Sequence, residues 1–193
     1  MIIFSSNHLQ KRKLLAIKKL DTLASMLQKD DFFLEAVSNI SKLQHNNIVE
    51  LVGYCVEHSQ HLLVYEYMRN GTLQDILHSG DAGDELSKKF SWNVRVRIAL
   101  GAARALEYLH EICQLSVVHR NFNFSNILLD DELSPHLSDC GLEAFTSFGS
   151  ESQAAANVPG SFGYNAPEFA MSGIYIVKSA PIEIKIFFWV SAQ

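Results

Sequence analysis

Three short stretches of this chain carry polar side chains of the kinds that bind anions or metal ions or move protons. Lys18 ends the apolar run Leu14–Ile17, residues 119–126 hold a His-Arg pair and three asparagines, and Asp139 precedes a Cys-Gly pair. A lysine at a strand end is usually solvated, and an aspartate before glycine usually belongs to a turn. An amide cannot accept a proton, so residues 119–126 offer no carboxylate as a general base.

Apolar spacing predicts the elements that position these groups. We expect a strand at Leu14–Lys18, and a pair of strands at Asn47–Cys55 and His61–Tyr67. A helix with an acidic cap is expected at Asp30–Leu43, with Phe33, Val37 and Ile40 on one apolar face. The longest helix is predicted at Trp92–Cys113. Its expected core stripe, at helical spacing, is Trp92, Val96, Ala99, Ala103, Leu106 and Leu109.

Composition excludes several classes of function. The chain has 193 residues, 48% of them hydrophobic and 19% charged, which suits one globular domain or two small lobes. A net charge of -5 gives no basic face for nucleic acid. Three scattered cysteines indicate reduced cytosolic thiols. The most apolar run, Ile182–Val190, is too short to span a membrane. We therefore expect no membrane span in this chain and, as it stands, a cytoplasmic location.

Four segments, in order along the chain, resemble protein-kinase motifs. Residues 119–126 resemble the catalytic loop H-R-D-x-x-x-x-N, Leu137–Leu142 the D-F-G segment, Gly160–Glu168 the A-P-E end of the activation segment, and Leu14–Lys18 the V-A-I-K strand. The resemblance implies an α+β, two-lobed protein-kinase-like fold. The fold is expected to be incomplete in both lobes. The first glycine of the chain is Gly53, so the small lobe lacks a Gly-rich loop, and Ala180-Pro181 with an unrelated tail indicates a large lobe truncated after the A-P-E segment.

The same resemblance implies a role for each site residue. Asn121 stands in place of the Asp base and Asn123 in place of the Lys that steadies the phosphoryl group. Asn126 keeps its catalytic-loop position and, with Asp139, would hold magnesium. The residues expected to contact ATP are Ala16, Lys18, Glu66, Met68 and Leu128. ATP and magnesium are thus the cofactors implied by resemblance.

Two further substitutions affect how the site would be assembled. The glutamate of the kinase C-helix, which pairs with the strand lysine, falls on Ala36, and the neighbouring Glu35 could reach Lys18 only if the helix turned. Cys140 replaces the Phe of D-F-G, and a thiol fills less of the core than a ring. Tyr65 is expected at the gatekeeper position before the hinge.

Longer phrases narrow the resemblance. HRNFNFSNILLDDELSPHLSD, GSFGYNAPEFAMSGIY and FFLEAVSNISKLQH resemble the plant STRUBBELIG-receptor family, leucine-rich-repeat receptor-like kinases with atypical catalytic domains. The full-length members of that family are plasma-membrane receptors with this domain in the cytosol. The implied organisation is a partial small lobe at 1–67, a partial large lobe at 68–179 and a divergent tail at 180–193.

Three functions remain open from the sequence. The first is a catalytically deficient, pseudokinase-type signalling or interaction module, whose partners would be other receptor kinases or signalling proteins. The second is an ATP-dependent serine/threonine kinase with weak phosphoryl transfer, since Lys18, Asn126 and Asp139 are retained. The third is a non-functional truncated fragment that folds poorly.

Overall fold

A computed structural model describes the part of the chain that surrounds the candidate site. The described residues are 2–4 (backbone only), 14–20, 30–57, 60–78, 90–113, 119 and 122–142. Several predicted features lie outside these ranges: Asn121, the Gly160–Glu168 segment and the tail from residue 180.

The larger sheet has four antiparallel strands, β1 (Ile2–Phe4), β2 (Leu15–Leu20), β3 (Leu51–Glu57) and β4 (Gln60–Glu66), in the order β1-β3-β4-β2. The predicted strands are therefore present, with shifted ends. Strand β2 alternates as a pleated strand must. Ala16, Lys18 and Leu20 turn toward the interior, whereas Ile17 and Lys19 are exposed on the opposite face.

Helix α1 (Asp30–Ile40) packs on this sheet through the face that its spacing predicted. Phe33, Val37 and Ile40 are buried with Leu20 and Leu63 in the smaller of two core clusters. The helix ends three residues earlier than the expected Leu43. A turn follows it, in which the Leu43 amide donates to the carbonyl of Ile40 at 3.0 Å. Leu43 itself is buried in the larger cluster.

The second layer consists of α2 (Leu73–His78), α3 (Trp92–Glu107) with a π-helical turn at Tyr108–Ile112, a 3₁₀ turn at Phe124–Asn126, and the hairpin of β5 (Ile127–Leu129) and β6 (Pro135–Leu137). The expected core stripe of α3 is half wrong. Trp92 is 63% exposed and Val96 41% exposed. The buried residues are instead Ile98, Ala99, Gly101, Ala102, Ala105 and Leu106, with Leu109 in the π turn.

Close packing at Gly101 explains which face of α3 is buried. A Cβ atom built at Gly101 would lie 2.4 Å from the Pro135 ring and 2.8 Å from the Asn47 amide nitrogen. The backbone of α3 can therefore approach β6 closely at Gly101, because glycine has no side chain there. Apolar residues occur on both faces of α3, so the spacing alone did not decide which face is buried.

The segment after α1 is joined to the hairpin. Val49 donates its amide to Leu137 O at 3.0 Å, and Leu137 donates to Asn47 O at 2.8 Å. The Asn47 side chain adds a bond to Pro135 O at 2.9 Å. These bonds connect the segment between α1 and β3 directly to the hairpin of the second layer. Within the described ranges, none of the helices is long and apolar enough to cross a membrane.

Candidate functional site: an ion pair between Lys18 and Asp139

The site centres on Lys18 and Asp139, which are 121 residues apart in sequence. The Lys18 Nζ lies 2.5 Å from Asp139 Oδ1, and the side chains are 38% and 18% exposed. Strand β2 holds Lys18 opposite Leu63 of β4. Asp139 follows β6 with a φ of 62°, in the left-handed region that aspartate tolerates better than most residues. The two positions that the resemblance assigned to phosphate and metal thus meet each other.

Helix α1 does not supply a carboxylate to this pair. Ala36, at the expected glutamate position, is partly buried and has no charge, and Glu35 is exposed. Rotation of about 100° per residue separates neighbouring side chains on a helix, so a glutamate one residue away points elsewhere. Among the described residues, the carboxylate in contact with Lys18 is that of Asp139.

Asn123 caps the N-terminal end of the 3₁₀ turn Phe124–Asn126. Its side-chain oxygen accepts hydrogen bonds from Ser125 N at 2.9 Å, from Asn126 N at 3.2 Å and from the Ser125 hydroxyl. This is the geometry of an N-cap, in which a short polar side chain satisfies the free amides of the first turn. The residue at the expected lysine position is therefore a structural cap.

Asn126 is buried and is linked to the strand that leads to Asp139. Its backbone carbonyl accepts from the Ser138 amide at 2.8 Å and from the Ser138 hydroxyl at 3.1 Å. The side-chain oxygens of Asn126 and Asp139 are the oxygen donors that Mg²⁺ prefers, so the residue types fit the ion. The Asp139 carboxylate, however, already contacts an ammonium group. The described residues contain no cluster of three His, Cys, Asp or Glu side chains able to hold a metal.

His119 joins residues 119–126 to the same segment, through Ser138 just after β6. Its Nε2 lies 2.7 Å from Ser138 O, so this nitrogen carries the proton and donates it to the carbonyl. The other nitrogen, Nδ1, is buried without a partner. Burial lowers the pKa of His119 below its usual 6.5, although the carbonyl of Ser138 acts in the opposite direction. His119 is therefore a neutral structural residue in the folded chain.

Sequence reasoning missed what surrounds Cys140. Cys140 is buried, and beside it is a void of about 10 Å³. The void is lined by Ile40, Leu43, Ile48, Val49, Tyr65, Leu137, Asp139 and Cys140. The Tyr65 hydroxyl is buried there without a hydrogen-bond partner, and burial raises its pKa. The sequence signal that could have indicated this void was the small Cys140 in place of a phenylalanine.

The residues expected to contact adenine lie around the end of β4. Ala16 pairs with Tyr65 across the sheet, and Leu128 pairs with His136 in the hairpin. A cavity of about 370 Å³ adjoins this segment, and its lining includes Glu66 and Met68. The rest of the lining is Leu14, Tyr67, Arg69, Asp130, Asp131, Glu132 and His136, so the cavity is polar and does not include Ala16, Lys18 or Leu128.

Comparison with known proteins identifies the class. Residues 3–180 match the family described as protein tyrosine and serine/threonine kinase, and the chain belongs to that family. Its fold is similar to the solved pseudokinase domain of BIR2, described as an immune regulator of the RLK/Pelle family. The TM-score is 0.71 at 32% identity, over 90% of this chain and 50% of that one. The predicted kinase-like fold is confirmed.

Among curated proteins, the chain is similar to members of the STRUBBELIG-receptor family, as its longer phrases predicted. It is 59% identical to Protein STRUBBELIG-RECEPTOR FAMILY 3 of Arabidopsis thaliana, over 86% of this chain and 21% of that protein. It is 49% identical to Protein STRUBBELIG of the same plant, over 81% of this chain and 19% of that protein. The probable serine/threonine-protein kinase PBL7 is 46% identical over 85% of this chain and 42% of that protein. The chain thus spans about a fifth of the length of its STRUBBELIG relatives.

Proposed function

We propose that this chain is a catalytically deficient kinase-like domain that acts as an interaction module in receptor-kinase signalling. The observation that carries the proposal is the capping role of Asn123, whose side-chain oxygen is engaged by its own turn. A neutral, engaged amide cannot stabilise the charge that develops on a phosphoryl group in transfer. Asn121 adds the loss of a general base, which is worth roughly 10²–10⁴ in rate.

The proposal assigns the finer organisation as well. Residues 1–67 form the partial small lobe, 68–179 the partial large lobe and 180–193 a divergent tail. Nucleotide would lie between the lobes, near Ala16, Glu66, Met68 and Leu128. Lys18, Asn126 and Asp139 would face the phosphates and any magnesium, whose role would be to neutralise phosphate charge. The domain would work on the cytosolic side of the plasma membrane.

Likeness to the BIR2 pseudokinase supports a role exercised through protein partners. We propose that those partners are the cytosolic domains of receptor kinases or the signalling proteins that bind them. A retained fold without phosphoryl transfer would contribute a surface to such an assembly. Direct binding to the kinase domain of a STRUBBELIG-receptor relative, measured by calorimetry with purified domains, tests this part.

The alternative is a serine/threonine kinase with weak transfer. It is favoured by the retention of Lys18, Asn126 and Asp139 and by the likeness to PBL7. Positioning and electrostatics supply most of the catalysis of phosphoryl transfer, so these residues alone could support a low rate.

Radiolabelled phosphate incorporation from ATP separates the two functions. The unchanged chain and the Asn126→Ala and Asp139→Ala variants are compared, so that signal common to all three is assigned to contamination. We expect no incorporation that depends on these residues, and none after Asn121→Asp alone, because that change leaves Asn123 neutral. Incorporation by the unchanged chain that both alanine variants abolish would establish the kinase instead.

A further inference from the structure

Strand β2 lies at one end of the four-stranded sheet, and among the described strands β4 is its one neighbour. Its pairing with β4 runs without a register shift over all six residues, and the strand contains no proline. An edge strand that has neither a bulge nor a proline presents a regular row of amides and carbonyls with which another strand can pair.

The hydrogen bonds to β4 show which backbone groups of β2 point away from the sheet. The Tyr67 amide donates to the carbonyl of Leu14 at 3.3 Å, so the backbone of Leu14 faces β4. This direction alternates along an antiparallel strand, so every second residue after Leu14 faces β4 as well. Leu15, Ile17 and Lys19 therefore direct their amides and carbonyls outward, away from β4.

The side chains at these three outward positions are exposed on one face of the sheet. Leu15 is 37% exposed and Ile17 65% exposed, and Lys19 is exposed next to them. An added strand would place its own side chains directly opposite these. Apolar residues would cover Leu15 and Ile17, and an acidic residue would pair with the Lys19 ammonium. A lysine on an edge discourages strands that offer it no counter-charge. A second copy of β2 is one of these, since antiparallel pairing centred on Ile17 sets Lys19 opposite Leu15.

We propose that the edge of β2 binds an extended segment of a protein partner by strand addition. The segment lies antiparallel to β2 and carries an acidic residue opposite Lys19, followed two and four positions later by apolar residues opposite Ile17 and Leu15. Backbone hydrogen bonds supply the affinity, and the exposed side chains supply the selectivity. The inference rests on the proposed function for the claim that the chain acts through protein partners. Binding of a receptor-kinase domain at another surface would support that function even if this edge bound nothing.

Amide hydrogen exchange, read residue by residue by NMR, tests whether the edge is open. In the unchanged chain the amides of Leu15, Ile17 and Lys19 should exchange at least about tenfold faster than those of Ala16 and Lys18, which face β4. Equal protection of both sets would overturn the proposal. Protection of the outward amides that dilution removes would indicate a second copy at the edge, and protection that persists would indicate that the chain covers its own edge.

The probe for binding is the synthetic peptide TETVTVT, acetylated and amidated at its ends. Its glutamate and two valines would stand opposite Lys19, Ile17 and Leu15, and saturating peptide should slow exchange of the three outward amides. Methyl groups on both valine nitrogens should weaken binding at least about tenfold, because two hydrogen bonds to β2 are lost. Methyl groups on the nitrogens of the two threonines between these residues give a peptide of equal mass, and these nitrogens point away from β2. Equal loss from the two methylated peptides, or no binding of TETVTVT, would overturn strand addition.

A charge exchange between Lys19 and the peptide tests the acidic requirement. Lys19→Glu changes an exposed residue outside the candidate site, so the variant should fold as the unchanged chain does. It should bind TETVTVT about twofold to fivefold more weakly than the unchanged chain, as expected for an exposed ion pair, and should prefer TKTVTVT. The same preference between the two peptides in both proteins would overturn the pairing with Lys19.

Discussion

Tyr65→Phe should stabilise this chain, which is unusual for a substitution near a candidate site. The Tyr65 hydroxyl is buried beside Asp139 and Cys140 and lacks a hydrogen-bond partner. Burial and the nearby Asp139 raise its pKa, so the hydroxyl is neutral at any ordinary pH. Phenylalanine keeps the ring and removes only the oxygen atom that has lost its contact with water.

The size of the effect follows from the cost of leaving a polar group unsatisfied. That cost is about 1–3 kcal/mol for a buried donor or acceptor. Removing the oxygen also enlarges the neighbouring void, which is about 10 Å³, and so offsets part of the gain. We expect a net gain of about 1 kcal/mol in the free energy of unfolding, or roughly 2–4 °C in Tm for a chain of this length.

Tyr108→Phe is the matched control, because the chemical change is the same. The Tyr108 hydroxyl accepts a hydrogen bond from the Gln44 amide at 3.1 Å, so its removal should lower stability by about 0.5–1.5 kcal/mol. Urea unfolding of the three proteins, followed by circular dichroism, should give changes of opposite sign. A void of about 10 Å³ is close to the volume that one water needs. If a water satisfies Tyr65, its variant will be neutral or destabilised, and the reasoning fails.

Two further predictions concern stability. Gly101→Ala should lower the free energy of unfolding by about 1–3 kcal/mol, because the new Cβ would lie 2.4 Å from Pro135, and this overpacking outweighs the helix-propensity gain of about 1 kcal/mol. Ala103→Gly, at a partly buried position of the same helix, gives an upper bound on the propensity effect. A stabilised Gly101→Ala protein would contradict the packing. Burial holds the pKa of His119 below its usual 6.5, so its contribution to stability is present above that pH and is lost as the pH falls below it. Urea midpoints should therefore drop between pH 8 and pH 5.5. His119→Asn should reduce this drop without removing it, because burial lowers the pKa of His45 and His110 too. A drop that His119→Asn leaves unchanged would contradict the assignment of the pH dependence to His119.

Local patterning was sufficient where one face of an element is clearly apolar. The spacing of Phe33, Val37 and Ile40 predicted the buried face of α1. The apolar run Leu14–Ile17 predicted strand β2 but not that Ile17 is exposed in it. Patterning failed on α3, where Trp92 and Val96 looked like core residues but are exposed. The decisive factor there was the absence of a side chain at Gly101, and hydrophobicity does not record which helix face a neighbouring strand can approach most closely.

The sequence pointed to individual residues as candidates but could not predict which of them contact one another. The order of motifs gave Lys18, Asn123, Asn126 and Asp139 their positions, yet nothing local couples residues 121 positions apart. The capping role of Asn123 left a local signal, since asparagine before a short polar turn is a common cap. The resemblance to the kinase motif showed that a lysine is missing at position 123. The hydrogen bonds that Asn123 makes to its own turn are seen in the structure.

The bonds between residues 47–49 and the β5–β6 hairpin have a mechanical consequence. They join the chain just beyond the C-terminal end of α1 to the larger core, through Leu137 and the Asn47 side chain. The other end of α1 is attached to the sheet, where Asp30 lies 3.1 Å from His61. If the four-stranded sheet rotates away from the β5–β6 hairpin while both attachments hold, the rotation must pivot near Asn47, and the first turn of α1 must move farther than its last turn. Lys18 moves with the sheet and Asp139 stays with the hairpin, so this rotation requires breaking their contact.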